Sequence, residues 1–508
     1  PAPSPGAGCV YDPKQPRFFR MNFSADRITA LPRGDNSRVR DAWRQSFPEW
    51  ARENLPALDS QHAYPSRAAV GAYLNDCFVR LLARIPSQWS VSILRQRVED
   101  LDVRDDGVRV LVAGMWNHYD HAVLTTGHGG FPSSSAANET TASVFPIMGL
   151  LTKTPQLAKQ AVAIKGLGLT AIDAILALTE GVGGAFTREH QSWRYRPTGG
   201  EPRRIAPYSR SGLPPLCKPD PTVGLAPDEA AAIAQTWAQH LRLLCPHRGE
   251  GAFANQVWSI VARCADELLA CGLGLSPRVV QGAARRWFRD WRVSGAALPA
   301  GWMQSSYLVA TGLKRLDAGW ALGESWRQLH APLAAIVNYG QLSTVAVSGF
   351  QLLLGELERV GFGPAAENVG RLLGLLDARI LDLSFACAPR LDSLPNGYRL
   401  SSVGASLNVP LLIDAVLPTP PRNARSGLIG QLVRRGALAL DEPTRTVKVD
   451  RAGRPLGATA AARQRLALFG RCTEGWILGN DTLNLAPHEQ PQNWARTLLA
   501  PLGANKVL

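Results

Sequence analysis

The chain has 508 residues, of which 45% are hydrophobic and 19% charged. This length is well above the size at which one core stops growing, so we expect two or three globular domains. No run of about 18 apolar residues predicts a membrane span, and no basic and aromatic block predicts a nucleic-acid groove. The formal net charge of +14 comes mostly from arginines spread along the chain. It indicates either an arginine-rich composition alone or a preference for anionic ligands such as phosphates and carboxylates.

The cysteines and the N-terminus favour a cytoplasmic protein. The eight cysteines are scattered without C-x-x-C spacing, which is typical of reduced thiols. The first residues show neither the basic region nor the apolar region of a secretory signal peptide. The sequence begins without methionine, which indicates the product of a longer gene, and the composition leaves a homo-oligomer open.

The first predicted elements are one helix and three strands. Apolar residues at helical spacing predict a helix over Ser66–Ala83. The period then changes to two, and the sequence predicts strands at Val91–Val98, Val108–Ala113 and Ala122–Thr126. The polar segment Trp116–Asp120 predicts a loop between the second and the third strand.

A buried strand, a glycine turn and a helix start follow one another at 162–173. Gly166 predicts a sharp turn, Gly168 lets the backbone approach a phosphate, and Ala171 allows helix and strand to pack closely. The N–H groups at the helix start, near Thr170, would face the anion. This pattern predicts the pyrophosphate site of a nicotinamide dinucleotide, and the alternative is a glycine turn with a purely structural use.

The next predicted strand, Arg204–Tyr208, is delayed by a hairpin over 185–203 and leads into Ser209 and Arg210. At this place in a dinucleotide fold an acid bonds the ribose 2′-hydroxyl, whereas a basic residue meets a 2′-phosphate. Arg210 beside Ser209 therefore favours NADPH over NADH, because a guanidinium binds phosphate through two parallel donors. The alternative is a solvated loop arginine.

In the rest of the chain the predicted secondary structure changes twice, first to helices and then back to strands. From residue 226 to about 385, apolar residues recur at three- and four-residue steps and predict helices, among them one over Pro277–Asp290. From residue 381 strand patterns return, including Asn408–Leu417, Thr446–Asp450 and Leu466–Gly470.

Several motifs, in order, resemble those of the bacterial FAD/NAD(P)-binding flavoproteins with two dinucleotide-binding domains. The resemblance covers nearly the whole chain and rests on Pro5–Asp12, Arg20–Phe23, Tyr64–Leu74, Thr125–His128, Lys165–Asp173, Ser209–Pro214, Phe362–Pro364 and Gly479–Asp481. The closing pattern Thr473–Trp476 and Gly479–Leu483 is similar to that of the branch of L-aspartate N-monooxygenases, which form nitrosuccinate.

The resemblance implies an α/β fold with two Rossmann-like dinucleotide-binding domains and an α-helical insertion. It implies that 1–150 begin an FAD-binding domain, that 155–220 form the NAD(P)-binding domain, and that 225–385 are the helical substrate domain. Residues 386–508 would return to the FAD-binding domain. Members also carry an N-terminal strand and glycine fingerprint for the FAD pyrophosphate, which this sequence lacks, so tight FAD binding is expected only if such residues precede it.

For FAD, the resemblance implies two turns near the isoalloxazine and two side chains in the same cleft. The candidates are Thr126, Gly127, Gly479, Asn480, Asp481, Thr482, Asn22 and Arg67. Backbone donors in the turns would stabilise negative charge on a reduced flavin ring. The structural alternatives are a strand-end turn, a helix cap at Asn480 or Asp481, and a surface arginine at position 67.

Other candidate sites are weaker. His118 and His121 have the spacing of metal ligands, yet no third ligand is nearby, so we expect no metal. The segment His128–Gly130 resembles the oxyanion segment of lipases, but no G-x-S-x-G elbow supplies a serine, which excludes a hydrolase. No catalytic side chain is assigned, because flavin oxygenation requires no fixed acid–base triad.

We therefore expect an FAD- and NADPH-dependent monooxygenase that uses O₂ to N-hydroxylate an amino acid such as L-aspartate. The helical domain would form a dry substrate pocket, with Arg278, Arg285 and Arg286 as candidate clamps for carboxylates. Two alternatives stay open. One is a flavin-dependent NAD(P)H reductase or dehydrogenase without oxygen insertion, and the other is a dinucleotide-binding protein without redox turnover.

Overall fold

The computed structural model describes residues 4–30, 45–56, 62–127, 140–214, 216–246, 252–417, 427–480, 483 and 489–499. Within these ranges no helix is long and apolar enough to cross a membrane. Four residues named above, His128, Gly130, Asp481 and Thr482, lie outside the described residues.

The described residues combine α-helices with short strands, which confirms the mixed α/β class with a helical part. The α-helices are α1 (Phe47–Asn54), α2 (Arg67–Leu82), α3 (Ile147–Lys153), α4 (Leu169–Thr179), α5 (Pro227–Arg242), α6 (Ala252–Leu273), α7 (Pro277–Val280), α8 (Ala283–Ser294), α9 (Pro299–Ala310), α10 (Ala318–Val337), α11 (Thr344–Gly361), α12 (Ala366–Asp377), α13 (Gly427–Arg434), α14 (Ala460–Arg465) and α15 (Gln490–Leu499). The strands are β1 (Val98–Arg104), β2 (Gly107–Val112), β3 (Met115–Tyr119), β4 (Ala122–Leu124), β5 (Thr141–Ser143), β6 (Ala161–Lys165), β7 (Ala185–Glu189), β8 (Ser192–Arg196), β9 (Arg204–Tyr208), β10 (Arg390–Leu394), β11 (Gly397–Ser402), β12 (Ala405–Val409), β13 (Leu411–Asp414) and β14 (Leu466–Leu468).

Four parallel strands form one sheet in the order β5-β13-β6-β9, which we call the central sheet. Strand β6 is buried except for its last residue, as expected of a strand covered on both faces of a parallel sheet. The unit β6-turn-α4 and the strand β9 match the sequence predictions. Strands β5 and β13 join the same sheet from outside the predicted segment 155–220, so the domain division proposed from sequence stays a prediction.

The two faces of the central sheet are covered by different layers, because alternate residues of a strand point to opposite faces. Val162 and Ile164 of β6 pack in one core with residues of α3, α4, α9 and α12. Ala161 and Ala163 pack in another core with residues of the antiparallel meander β10-β11-β12. The sheet thus has helices on one face and a small meander on the other.

A second parallel pair, β4 with β14, lies beside the antiparallel meander β1-β2-β3. Two sequence predictions were wrong here. The segment Trp116–Asp120 is not a loop, since most of it forms the exposed strand β3, which is held by ladder hydrogen bonds rather than by burial. The predicted strand Val91–Val98 is extended coil with exposed Val91 and Ile93, and the first strand begins only at Val98. Its apolar residues alternate, but among the described residues no strand pairs with this segment.

The helical part is built around α10, which packs against α5, α6 and α11. Its core contains the fully buried side chains Phe253, Trp291 and Trp326. The single helix predicted over Pro277–Asp290 is divided into α7 and α8, because the chain turns at Gly282, where φ is +76°.

Ion pairs join the parts of the chain to one another. Arg67 at the start of α2 pairs with Asp173 of α4, and both side chains are nearly inaccessible to solvent. Arg20 pairs with Glu367 of α12 at 3.1 Å, and Glu367 also pairs with Arg371. Buried pairs of this kind are costly to break from one side, so they hold the N-terminal segment, α4 and α12 in a fixed arrangement.

Candidate functional site

The glycine turn after β6 brings the ends of three parallel strands together. Gly166 adopts φ +137°, a conformation that residues with a side chain rarely adopt. Its N–H donates to the carbonyl oxygen of Tyr208 at the end of β9, at 2.7 Å. A Cβ on Gly166 would lie 3.2 Å from the Cβ of Ala415, just beyond β13. Gly166 therefore shapes the carboxyl edge of the central sheet.

The start of α4 faces open space. Gly168 is the N-cap residue of α4, and a Cβ placed on it would meet no other atom within 4 Å. Thr170 is half-buried in the first turn, whereas Ala171 is buried in the core below it. The first N–H groups of a helix have no partner inside the helix. This end of α4 can therefore receive an anionic phosphate.

Two arginines, Arg210 and Arg359, lie near each other beyond the end of β9. Arg210 is exposed, and its neighbour Ser209 accepts a hydrogen bond from the N–H of Gly212 at 3.0 Å. Arg359, from α11, donates through Nη1 to Oγ of Ser211 at 2.9 Å. Burial lowers the pKa of Arg359, the charge of Glu356 opposes this, and the nearby charge of Arg210 adds to it.

Arg210 and Arg359 bring two positive charges to the end of β9, where the sequence predicts a ribose 2′-phosphate. Sequence reasoning proposed Arg210 and did not propose Arg359. No local pattern could have found it, because Arg359 lies 148 residues from Ser211.

The parallel strands β4 and β14 both end in a glycine turn. The N–H of Phe469, after β14, donates to the carbonyl oxygen of Leu124 at 3.1 Å, so the two turns are neighbours. Gly127 has φ +60° and Gly470 φ +75°, and a Cβ on either would meet no atom within 4 Å. Thr126 is exposed beside Gly127. The two turns leave open space beside their glycines, which we call the crevice. Sequence reasoning proposed Gly127 and did not propose Gly470.

The closing segment, which consists of Gly479 and Asn480, is hydrogen-bonded to the turn at Gly470 beside this crevice. Asn480 Nδ2 donates to the carbonyl oxygen of Gly470 and to Oγ1 of Thr473, both at 2.8 Å. Gly479 has φ +76°, and a Cβ there would lie 2.9 Å from Cε1 of His330 in α10. The side chain of Asn480 therefore stabilises the turn by hydrogen bonds and does not cap a helix. Because Gly479 has no side chain, the turn can lie close to the helical part.

Asn22 lies where three parts of the chain meet. Its Nδ2 donates to the carbonyl oxygen of Phe362 after α11, at 3.2 Å. Its own carbonyl oxygen accepts from Nζ of Lys218, at 2.7 Å. We name the group of residues around this contact the junction cluster; it consists of Asn22, Phe23, Tyr64, Lys218 and Phe362.

A cavity of about 330 Å³ shares Tyr64 with the junction cluster. Its wall combines aromatic, cationic and anionic side chains, among them His62, Tyr64, Arg188, Trp193, Asp220, Tyr307 and Glu367. The cavity is large enough for a small polar molecule.

Four arginines singled out from sequence lie elsewhere than expected. Arg67 does not present a free guanidinium to a cleft, because it is bound to the buried carboxylate of Asp173. Burial raises the pKa of Asp173 and the charge of Arg67 opposes that rise. Arg278, Arg285 and Arg286 are exposed on α7 and α8, so they do not form the predicted clamps inside a pocket.

The residues present fit dinucleotides at two places. The turn at Gly166 and Gly168 offers a helix N-terminus and unobstructed backbone, which is the donor set for a pyrophosphate. The turns at Gly127 and Gly470 offer unobstructed backbone at the ends of adjacent parallel strands, where cofactors bind in open α/β sheets. Gly479 and Asn480 lie on one side of this second site, where Asn480 is hydrogen-bonded to Gly470.

Comparison with known families agrees with this geometry. A family model described as FAD-NAD(P)-binding matches residues 1–129. The match confirms the resemblance to FAD/NAD(P)-binding flavoproteins recognised from the sequence motifs.

Relatives of known name share modest identity with this chain. The L-aspartate N-monooxygenase (nitrosuccinate-forming) of Streptomyces cremeus is 27% identical over 533 aligned residues, which cover 85% of this chain and 77% of that protein. The nitrosuccinic acid synthase of Aspergillus oryzae is 30% identical over 240 residues, covering 44% of this chain and 36% of that protein. Among solved structures, the ornithine N-hydroxylase of Kutzneria sp. 744 aligns with a TM-score of 0.45 and 15% identity, over 97% of this chain and 90% of its own.

Proposed function

We propose that this protein is an FAD- and NADPH-dependent monooxygenase that N-hydroxylates L-aspartate or a closely related amino acid with O₂, in the cytoplasm. The observation that carries the proposal is the similarity to an L-aspartate N-monooxygenase over 85% of this chain. The same alignment covers 77% of that protein.

The chain's contribution to NADPH binding follows from the central sheet. The open backbone at Gly168 and the start of α4 would hold the pyrophosphate. Arg210 would bind the 2′-phosphate, and Arg359 would add a second positive charge beside it. An acidic residue suited to NADH does not stand at this place, which supports the choice of NADPH.

The chain's contribution at the flavin follows from the second parallel pair. When bound, FAD accepts a hydride from NADPH and activates O₂. Backbone donors near Gly127 and Gly470 would stabilise charge on the cofactor. Asn480 and the contact of Gly479 with His330 hold the closing segment against this crevice. The closing segment would thus limit the access of water to the reacting atoms, as oxygen insertion into an amine requires.

The test combines cofactor loading with substrate-dependent oxygen use. The protein is loaded with FAD and mixed with NADPH, and oxygen consumption is followed with and without L-aspartate, while mass spectrometry detects the N-oxygenated product. We expect L-aspartate to stimulate both NADPH oxidation and product formation. NADPH-driven flavin reduction without stimulation by any amino acid would instead identify a reductase, and a protein that binds NADPH without FAD would identify a non-redox nucleotide-binding protein.

A matched pair of glycine variants links the activity to the nucleotide turn. A Cβ is sterically free at Gly168 and also at Gly355, which is exposed on α11. Gly168→Val should abolish NADPH-dependent reduction, because it fills the space where a phosphate approaches the backbone. Gly355→Val should leave the reduction unchanged. Equal activity in the two variants would refute the assignment of the turn.

A further inference from the structure

The side chain of Lys218 is buried at the meeting point of the N-terminal segment, the exit from the central sheet and the helical part. Its backbone is fixed, because its N–H donates to the carbonyl oxygen of Pro364 at 2.8 Å and the residue forms a bridge with Ala365. Only 7% of Lys218 is exposed. Lysine is among the residues least often buried in this way, so its presence here requires a reason.

The ammonium group of Lys218 is surrounded by aromatic rings. Nζ lies 5.6 Å from the ring centroid of Phe23, 6.0 Å from that of Tyr64 and 5.9 Å from that of Phe362. The hydrogen bond found for Nζ among the described residues goes to the carbonyl oxygen of Asn22. An ammonium group carries three donors, so the junction cluster supplies fewer acceptors than the group can use.

The charges around Lys218 do not balance it. Burial, together with the positive charges of Arg327 and Arg27, lowers the pKa of Lys218 to about 7, while the carboxylates of Glu324 and Asp26 oppose the shift. Glu324 already forms an ion pair with Arg327 at 2.8 Å. The neighbouring Tyr64 and Cys217 bring no negative charge, because burial raises the pKa of both. With Lys218 protonated, it and these four charged side chains carry three positive and two negative charges, so among the described residues named here the positive charges exceed the negative ones by one.

The junction cluster is connected to the crevice between β4 and β14. The ring of Phe362 lies 5.2 Å from the ring of His330, in an edge-to-face contact. His330 in turn contacts Gly479 of the closing segment, which borders that crevice. The same cluster shares Tyr64 with the cavity of about 330 Å³. Lys218 is thus linked through Tyr64 to the cavity and through Phe362 and His330 to the crevice.

We infer that Lys218 binds a carboxylate of the amino-acid substrate, which supplies the anion that the junction cluster lacks. This inference rests on the proposed function, and it assigns to one side chain the preference for a dicarboxylate. The aromatic rings would exclude water from the contact, which strengthens a charge-assisted hydrogen bond. Asn22 would hold the ammonium in place while its other donors reach the ligand.

The decisive measurement is the number of protons taken up when a dicarboxylate binds. L-aspartate, and succinate as an analogue without the amine, are titrated into the FAD-loaded protein by calorimetry at pH 7.5, in two buffers with different ionisation enthalpies. Because the pKa of free Lys218 is about 7, most of its side chains are neutral at this pH and must gain a proton on binding. We expect an uptake of about 0.7 protons per ligand.

Two variants and a control make this result specific to Lys218. Lys218→Arg keeps a permanent charge, so it should bind with an uptake near zero. Lys218→Met should weaken the binding of both ligands at least tenfold and should show no uptake. Lys314→Met, which removes an exposed lysine after α9, should behave like the unchanged protein.

The affinity should also depend on pH. In the unchanged protein, the Kd for succinate should be constant below about pH 7 and should rise above it, since binding needs the protonated lysine. Lys218→Arg should remove this rise. The inference is overturned if uptake and pH dependence persist in Lys218→Arg, or if Lys218→Met binds normally. A protein that oxidises NADPH with L-aspartate yet shows these results would refute the role of Lys218 alone, whereas absence of any amino-acid binding or stimulation would refute the proposed function as well.

Discussion

Breaking the ion pair between Arg67 and Asp173 from one side should destabilise the protein strongly. Only 3% of the Asp173 side chain and 12% of the Arg67 side chain are exposed. Replacing Arg67 by Met leaves a buried carboxylate without its partner, which costs roughly 3 to 5 kcal/mol. For 508 residues, an unfolding entropy of about 2.1 cal/mol/K per residue amounts to roughly 1.1 kcal/mol/K. Arg67→Met should therefore lower Tm by about 3 to 5 °C.

The loss in Arg67→Met should depend on pH in a defined direction. Burial raises the pKa of Asp173 in the folded protein, and removing Arg67 removes the charge that opposed the rise. Above the pKa of the unfolded chain, the folded state then holds a proton that the unfolded state has released, so the variant loses stability as pH rises from 5 to 8.

The assay is thermal unfolding by differential scanning calorimetry across this pH range, for both single variants and for Arg67→Met with Asp173→Leu. The double variant should recover much of the stability and lose the extra pH dependence, because no buried charge remains. Arg445→Met, which breaks an exposed pair with Glu442, should change Tm by less than about 1 °C. The reasoning is refuted if Arg67→Met is as mild as this control, or if the double variant is no more stable than the single ones.

Three further outcomes follow from the site geometry. Gly168→Val should weaken NADPH binding more than tenfold without lowering Tm, and fluorescence titration that shows unchanged affinity would contradict the pyrophosphate assignment. Arg210→Gln should reduce the ratio of kcat/KM for NADPH over NADH by about 10- to 100-fold, since one charge-assisted contact to the 2′-phosphate is lost; an unchanged ratio would leave Arg210 as a solvated arginine. Gly479→Ala should cost about 1 to 3 kcal/mol in urea unfolding, because φ is +76° and the new Cβ would lie 2.9 Å from Cε1 of His330, and full stability would show that the closing turn is free to move.

Features encoded within a few consecutive residues could be predicted from the sequence. The strand β6, the glycine turn and α4 occupy 161–179 without interruption, and their apolar pattern and small residues predict this structure. The bounds of β9 were also correct, because a short, mostly apolar run, Ile205–Tyr208, leads into a serine turn. In these segments the secondary structure favoured by the local sequence is the one found in the fold.

Contacts between distant parts of the chain could not be predicted. Lys218 and Asn22 are 196 residues apart, and no periodicity indicates that their atoms will meet. Exposed strands are a second source of error: all five residues of β3 are exposed, so no apolar alternation marks it, and only pairing with β2 reveals it as a strand. Side-chain burial drives the patterns that sequence reasoning uses, whereas β3 is held by backbone pairing and by surface contacts such as that of Trp116 with Arg109.

The order β5-β13-β6-β9 has a consequence for how the protein is made. The strand β13 lies between β5 and β6, yet it follows β5 by more than 260 residues, with the whole helical part in between. At a synthesis rate of roughly 5 to 20 residues per second, a gap of about 270 residues leaves the growing chain for about 13 to 54 seconds with two strands that have not yet found their shared neighbour. During that time the open strand edges can pair with other nascent chains. The yield of the folded protein should therefore depend on translation speed and on chaperones that shield such edges until the last strand emerges from the ribosome.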